Sequence, residues 1–247
     1  MHALWTTIFY QPIFNALIFI INYITIGDVG FGIILLTIIV KLILFPLTKK
    51  SIKSQILMKR IEPDLKRIKK DYPNKEEQAK KTFELYKKLG VNPFSGCLVV
   101  LLQLPVILAL YYVFYKGLDL NLGPLYSFIH IPNILHTNFL GLIELKSKSI
   151  VLALIAGITQ FIQGYLATPI KPKVEIVNQM DSNEPKTFQE QLSDSMQINI
   201  RYILPIFIAF IDYKISAAFA LYWITSNIFT IVQEWYIRKT LTEHPII

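Results

Sequence analysis

Cysteine is nearly absent: Cys97 is the only one in 247 residues. One thiol excludes an internal disulfide framework and any cysteine-cluster metal site. Histidine is scarce too, and His2, His130, His136 and His244 lie near the termini or in one loop without metal-ligand spacing. They read as solvated side chains rather than ligands. No GxxxxGK[ST] loop, GxGxxG turn, HExxH helix or GxSxG elbow occurs, so nothing points to nucleotide-driven, metalloprotease or serine-hydrolase chemistry. The expectation is a protein that is not an enzyme, with no catalytic residue, metal or cofactor.

Acidic residues are also few, 17 against 25 Lys and Arg, leaving a formal charge of +8. A basic surplus raises the question of nucleic acid, and the placement of the charge answers it below without DNA. What is abundant is apolar surface. At 53% hydrophobic and a mean hydropathy of +0.45, the chain is too apolar for an ordinary soluble domain of its size.

A transmembrane helix needs about 20 mainly apolar residues. Five segments qualify: 28–47, 93–116, 149–168, 196–212 and 215–237. The fourth is short, so the bilayer is expected to thin around it. A tight outer turn separates it from the fifth, which forces those two helices antiparallel. The uncharged segment 1–27 could span. The reading preferred is a helix in the outer interface, anchored by Trp5, Phe9, Tyr10, Phe14 and Tyr23. No basic n-region and no cleavage site mark it as a signal peptide.

Fourteen of the 25 Lys and Arg fall in residues 48–91. Placing that loop in the cytoplasm also puts 169–195 and the tail 238–247 there, and leaves outside only Lys116, Lys146, Lys148 and Lys214, in or beside the loop 117–148 and the last outer turn. The positive-inside rule favours this orientation, with the N-terminus outside and the C-terminus cytoplasmic. Within 48–91, Ile61, Leu65, Ile68 and Tyr72 recur at helical spacing, DYPNKEE breaks the chain, and Ala79, Phe83 and Tyr86 follow. That pattern predicts a helical hairpin, with Asn74 and Glu77 as a capping-box variant and Gly90 as a stop. Its basic face suits anionic partners such as lipid headgroups, RNA or acidic helices. The fold class expected is all-α, a polytopic membrane protein of five spans with an interfacial N-terminal helix and this cytoplasmic hairpin.

The run IIVKLILFPL places Lys41 inside the first span, eight residues before Lys49. At helical rise that is about 12 Å below the interface, in a hydrocarbon half-layer of about 15 Å. A central lysine costs about 2.5–3.5 kcal/mol, which the surrounding Ile, Leu, Val and Phe side chains offset. The helix still inserts, but the ammonium needs an anion or water. Asp28, Asp212 and Glu234 sit near span ends, so water remains. A hydrated recess open to the cytoplasm is expected, lined by uncharged polar side chains: Thr37 on the same helix face, Gln103, Gln160, Gln163, Ser226, Asn227 and Gln233. Each of these also suits simple hydrogen bonding between helices. A cation in a wet recess suits either an acidic segment entering the membrane or, as the alternative, an anion in a small transporter or channel. Against the transporter, no inverted repeat is visible. A scaffold acting through its basic arm is a third reading.

The segments TIIVKLILFPLTKK, VNPFSGCLVVLLQLPVILALYYVF and ALYWITSNIFTIVQ, in this order and with the basic hairpin after the first, resemble the core of the YidC, Oxa and Albino family of membrane protein insertases over roughly residues 28–238. The resemblance implies a five-helix core that inserts and helps fold newly made membrane proteins, alone or with the Sec translocon, through a hydrophilic groove. It implies nascent membrane proteins and the bilayer as partners, with the Sec translocon, the ribosome and the signal recognition particle machinery met through the hairpin. It also implies a slide for the incoming helix, carried here by Phe161, Tyr222 and Trp223. The family has arginine where this chain has Lys41, so the charge is kept while the planar fork is lost. No large outer domain precedes the first span, which is the pattern of the compact bacterial form, and MHALWTT lacks the Arg- and Ser-rich character of a transit peptide. The expected location is the bacterial plasma (inner) membrane. The ten-residue tail after Ile237, with Arg238 and Lys239 as its only basic residues, is not expected to tether a ribosome strongly.

Overall fold

The structure is a computed structural model that describes residues 2–92, 95–115, 124–167 and 198–243. The loop expected over 169–195, residues 116–123 at the start of the expected outer loop, the tail beyond Glu243 and the side chain of Cys97 lie outside the described residues. Those described are mostly helical, and they fall into two compact units: Met1–Lys41 with Ala109–Val232, and Leu42–Leu108 with Gln233–Ile247.

The first unit opens with a helix over Thr6–Ile24 (α1), followed by α2, Val29–Ile43. The buried side of α1 carries Phe14, Leu17, Ile18 and Ile21, while Trp5 and Tyr10 meet Tyr112 at ring distances of 5.2 and 6.4 Å. Asn15, buried in the middle of this apolar helix, holds the start of the described loop before Ile150. Its amide donates to the Pro124 carbonyl and its oxygen accepts from the Tyr126 N–H, both at 2.8 Å. One side chain thereby satisfies two backbone groups of a segment that has no regular structure to do so. The loop continues through a two-residue hairpin, β1 (Asn138–Phe139) and β2 (Ile143–Glu144).

The same loop fixes the starts of two helices. His136 exchanges backbone hydrogen bonds with Gly27 and Val29 at 2.8 and 3.1 Å, just before α2. The carbonyls of Ser147 and Leu145 accept from Ala217 and Ala218 at 2.8 and 3.0 Å, which satisfies two otherwise orphaned donors at the beginning of the last helix.

Besides the end of the helix Ser95–Tyr115 from Ala109 on, this unit holds α7, Ile150–Ala167; α8, Leu204–Ile215; and the part of α9, Ala217–Glu243, up to Val232. Among the described residues, α1 and α7 are by themselves long and apolar enough to cross a membrane, and the stretch Val29–Arg60 adds a third when its two helices count as one. The short α8 has 12 residues, and α9, although 27 residues long, dilutes its apolar run with Ser226, Asn227, Thr230 and Gln233. Small residues let α7 and α8 approach closely. A Cβ on Gly157 would lie 2.9 Å from the Ala209 Cβ, and one on Gly164 would lie 2.8 Å from the Ile200 carbonyl oxygen. Two glycines seven residues apart fall on one helix face, so the backbones pack there as membrane helices commonly do.

Early in the second unit the chain breaks at Leu44. Helix α3, Phe45–Arg60, has Pro46 in its first turn, and proline cannot donate to the preceding turn, so α2 stops. Helix α4, Glu62–Asp71, starts with Pro63, carries Glu62 and Asp64 in its first turn and ends on Lys69 and Lys70, which suits the helix dipole. Helix α5, Lys75–Leu89, is capped by Asn74, whose side chain accepts from the Glu76 N–H at 2.9 Å, and it ends on Gly90 at φ +62°. Ser54 ties α3 to the residue after that turn, donating to the Asn92 carbonyl at 2.9 Å. Helix α6, Ser95–Tyr115, carries Pro105 inside it.

Gly164→Val is expected to destabilise the protein by about 1–3 kcal/mol, because the opposing atom is backbone and cannot rotate away. Thermal unfolding in detergent micelles checks this; an unchanged midpoint would mean that the α7 contact with Ile200 yields freely.

Candidate functional site

Lys41 lies in the last turn of α2. Its ammonium donates to the Thr230 hydroxyl of α9 at 3.0 Å. The Thr230 hydroxyl spends its own proton on the Ser226 carbonyl at 2.7 Å, which turns an oxygen lone pair toward the cation. An ammonium has three donors, and among the described residues no carboxylate forms an ion pair with Lys41. Thr37, buried one turn earlier, donates to its own helix at the Ile33 carbonyl, 2.7 Å away, so it presents an acceptor rather than a proton.

A second polar set joins α7 to α9. The Trp223 indole N–H donates to Gln160 Oε1 at 2.8 Å, and Gln160 Nε2 donates to Gln163 Oε1 at 2.9 Å. Asn227 Nδ2 donates to Thr159 Oγ1 at 3.2 Å, and Thr159 donates onward to the Ala156 carbonyl at 3.0 Å. On α9 the participants are Trp223, Ser226, Asn227 and Thr230, at positions i, i+3, i+4 and i+7 of a helix. That spacing makes one polar stripe about 10 Å long. Lys41 meets its C-terminal end and Gln160 its N-terminal end.

Gln160, Gln163, Asn227, Ser226 and Lys41 thus fall on or beside one stripe in the first unit. Gln103 lies on α6 in the second unit, half-buried. Gln233 is also in the second unit, buried, and its amide nitrogen has no hydrogen-bond partner among the described residues. Of the aromatic residues, Phe161 is 40% exposed and Tyr222 only 1%. Phe161 lies near Tyr165 and Tyr202, at 6.3 and 6.1 Å between rings, while Tyr222 packs against Phe219 and Trp223 at 6.0 Å from each. Trp223 is half-buried and holds Gln160. Thr230 and Thr159 were not singled out from the sequence. Thr230 was accessible to that reading, since it sits four residues after Ser226 on the same helix face; Thr159 adjoins Gln160 but points its hydroxyl along the neighbouring face.

The stripe is polar without being acidic. It can hold water, a peptide group or a polar side chain through donors and acceptors, and it adds one positive charge. Interhelical hydrogen bonds of this kind are worth about 0.6 kcal/mol each and at most about 1.7. A double-mutant cycle of Gln160→Leu with Trp223→Phe is therefore expected to show a coupling within that range in unfolding measurements; strictly additive effects would mean that the indole and the amide do not share a bond in the membrane.

A family model described as "60Kd inner membrane protein" matches residues 20–244. A protein named membrane protein insertase YidC from Campylobacter jejuni is 33% identical over 236 residues, 95% of this chain and 38% of its own length. One with the same name from Francisella philomiragia is 31% identical over 87% of this chain and 33% of its own length. The chain thus spans little more than a third of the curated relatives it matches. Its fold is similar to that of a solved structure titled "Active YidC insertase crystal structure with the first transmembrane domain resolved", with a TM-score of 0.53 and 23% identity over 92% of this chain and 46% of that one.

Proposed function

We propose that this chain, which belongs to the 60Kd inner membrane protein family, is an insertase core of a bacterial inner membrane, acting without covalent chemistry. It crosses the membrane five times with its N-terminus outside and its C-terminus in the cytoplasm. Two relatives that match most of the chain carry the name insertase, which is why the anion-transporter reading is not adopted. The observation that carries the mechanism is the pairing of an intramembrane ammonium with a neutral hydroxyl, Lys41 Nζ to Thr230 Oγ1 at 3.0 Å.

A lysine so placed is held by a weak, exchangeable partner. A carboxylate on an incoming segment competes with Thr230 for it and wins, because its negative charge adds a Coulomb attraction to the ammonium that a neutral hydroxyl lacks. The remaining donors, with the polar stripe of Ser226, Asn227, Gln160 and Gln163, accommodate the hydrophilic flank of a nascent helix. The recess is hydrated and opens to the cytoplasm. Partition of the apolar part of that helix into lipid then drives release, at about 0.3–0.6 kcal/mol for each Leu, Ile, Phe or Val. Phe161, exposed on α7, and the half-buried Trp223 of α9 form the slide, with the buried Tyr222 packed against Trp223.

The basic helices α4 and α5 receive the substrate and its delivery partners, the ribosome, the signal recognition particle machinery and the Sec translocon. Residues 48–91 hold 14 Lys and Arg against 6 Asp and Glu, so pairs such as Lys81 with Glu84 at 2.9 Å leave the arm with a net positive field.

In cells depleted of the native protein, Lys41→Arg is expected to retain insertion of a one-span substrate with an acidic flank, and Lys41→Ala to reduce it about tenfold, the cost of one lost charge-assisted bond. A substrate with a neutral flank should be much less affected. Equal activity of both variants on the acidic substrate would remove Lys41 from the mechanism.

A further inference from the structure

In the second unit, Lys53, Ile56, Leu57 and Arg60 of α3 line a small surface crevice together with Leu241 of α9. These four residues of α3 occupy one helix face, at i, i+3, i+4 and i+7. The floor is aliphatic and the two ends are cationic. Lys53 and Arg60 are exposed, and among the described residues neither forms an ion pair. The nearby acid is already committed: Glu234, buried on α9, holds Arg238 at 2.6 Å. Positive charge is correspondingly crowded. Partial burial, and then the Arg238 guanidinium, push the Lys59 ammonium below its usual range, against opposing pulls from Glu62 and Glu234. An anion arriving here displaces no ion-pair partner of Lys53 or Arg60 among the described residues.

The depth of the crevice follows from α9. Trp235 and Tyr236 are 63% and 53% exposed, and amphipathic rings of this kind settle at the boundary between hydrocarbon and headgroups. Lys239 sits over the Trp235 ring at 5.5 Å. Leu241 follows Trp235 by six residues, about 9 Å along the helix, which brings it to headgroup level. Cations flanking an aliphatic floor at that level complement an amphiphile whose phosphate meets Lys53 and Arg60 while its glycerol and first methylenes cover Ile56, Leu57 and Leu241. RNA also offers phosphates, but it gains nothing from an aliphatic floor.

We propose that the crevice formed by Lys53, Ile56, Leu57, Arg60 and Leu241 binds the headgroup of one anionic phospholipid of the cytoplasmic leaflet. The site depends on the chain lying in a membrane and not on its being an insertase, so it stands or falls separately from the function of the Lys41 stripe. A lipid bound there would fix the end of α9 against α3, both within the second unit.

Native mass spectrometry of the full chain released from detergent micelles, in the presence of phosphatidylglycerol or phosphatidylcholine with the same acyl chains, reads the binding directly. The wild type is expected to retain phosphatidylglycerol preferentially. Lys53→Gln with Arg60→Gln should weaken that retention about 30-fold, the effect of two juxtamembrane cations, whereas Lys80→Gln with Lys87→Gln on α5, an equal change of charge, should leave it intact. Leu241→Asn should weaken the lipid but not glycerol 3-phosphate, which has no chains to cover the floor. Equal retention of the two lipids, equal losses in the two double variants, or tighter binding of a single-stranded RNA oligonucleotide than of the lipid through Lys53 and Arg60 would each overturn the proposal.

Discussion

An ammonium within a helix of hydrocarbon-loving side chains must keep polar company, and the first unit is arranged around that requirement. Lys41 has Thr230 as its partner, and Thr230 belongs to a row that continues through Asn227, Ser226 and Trp223 to Gln160. Had the partner been a buried carboxylate, the pair would be static, since separating two such charges in a medium of low dielectric costs several kcal/mol. A hydroxyl leaves the cation available. The same polar residues that give the stripe its chemistry deprive α9 of the uninterrupted apolar run of a simple span, so the helix depends on its neighbours for burial as much as on lipid.

That dependence accounts for the way the rest of the unit is tied. The glycines of α7 bring it against α8 and the segment before it, and the loop before α7 supplies backbone acceptors to the first residues of α9 through Ser147 and Leu145. Asn15 pins the beginning of the same loop to α1. Each tie uses a backbone or amide hydrogen bond where lipid offers none, and an unsatisfied group there would cost several kcal/mol. The N-terminal helix is thereby part of the packed unit, with Leu17, Ile18 and Ile21 fully buried, a degree of burial that its threonines, asparagines and proline did not advertise.

Much of this was legible in the sequence because the signals were local. The helix stop at Gly90, the cap at Asn74 and the restart at Pro63 follow from residue type and spacing alone. Lys41 was visible as a charge where none belongs, and Gln160, Gln163, Ser226 and Asn227 as polar residues in apolar runs. What the residues could not reveal was pairing. That Gln160 answers to Trp223 and Lys41 to Thr230 depends on the rotation of three helices about their axes, and a threonine among isoleucines carries no mark of which way it faces. The break at Leu44 was hidden for a similar reason: Pro46 marks a helix boundary, but an apolar run on both sides of it reads as one span. The cap at Asn74 also engages the Glu76 backbone where the spacing had drawn attention to Glu77.

For Lys41 to act as proposed, water and polar segments must reach it from the cytoplasmic side, and the direct measurement is the reactivity of a cysteine in its place. In a Cys97→Ser background, Lys41→Cys should be alkylated by a membrane-impermeant thiol reagent applied to the inner face, at a rate approaching that of an exposed control such as Lys80→Cys, and should be protected from the outer face. A thiol at position 41 that stays sealed from the inner face while the control reacts would contradict the account.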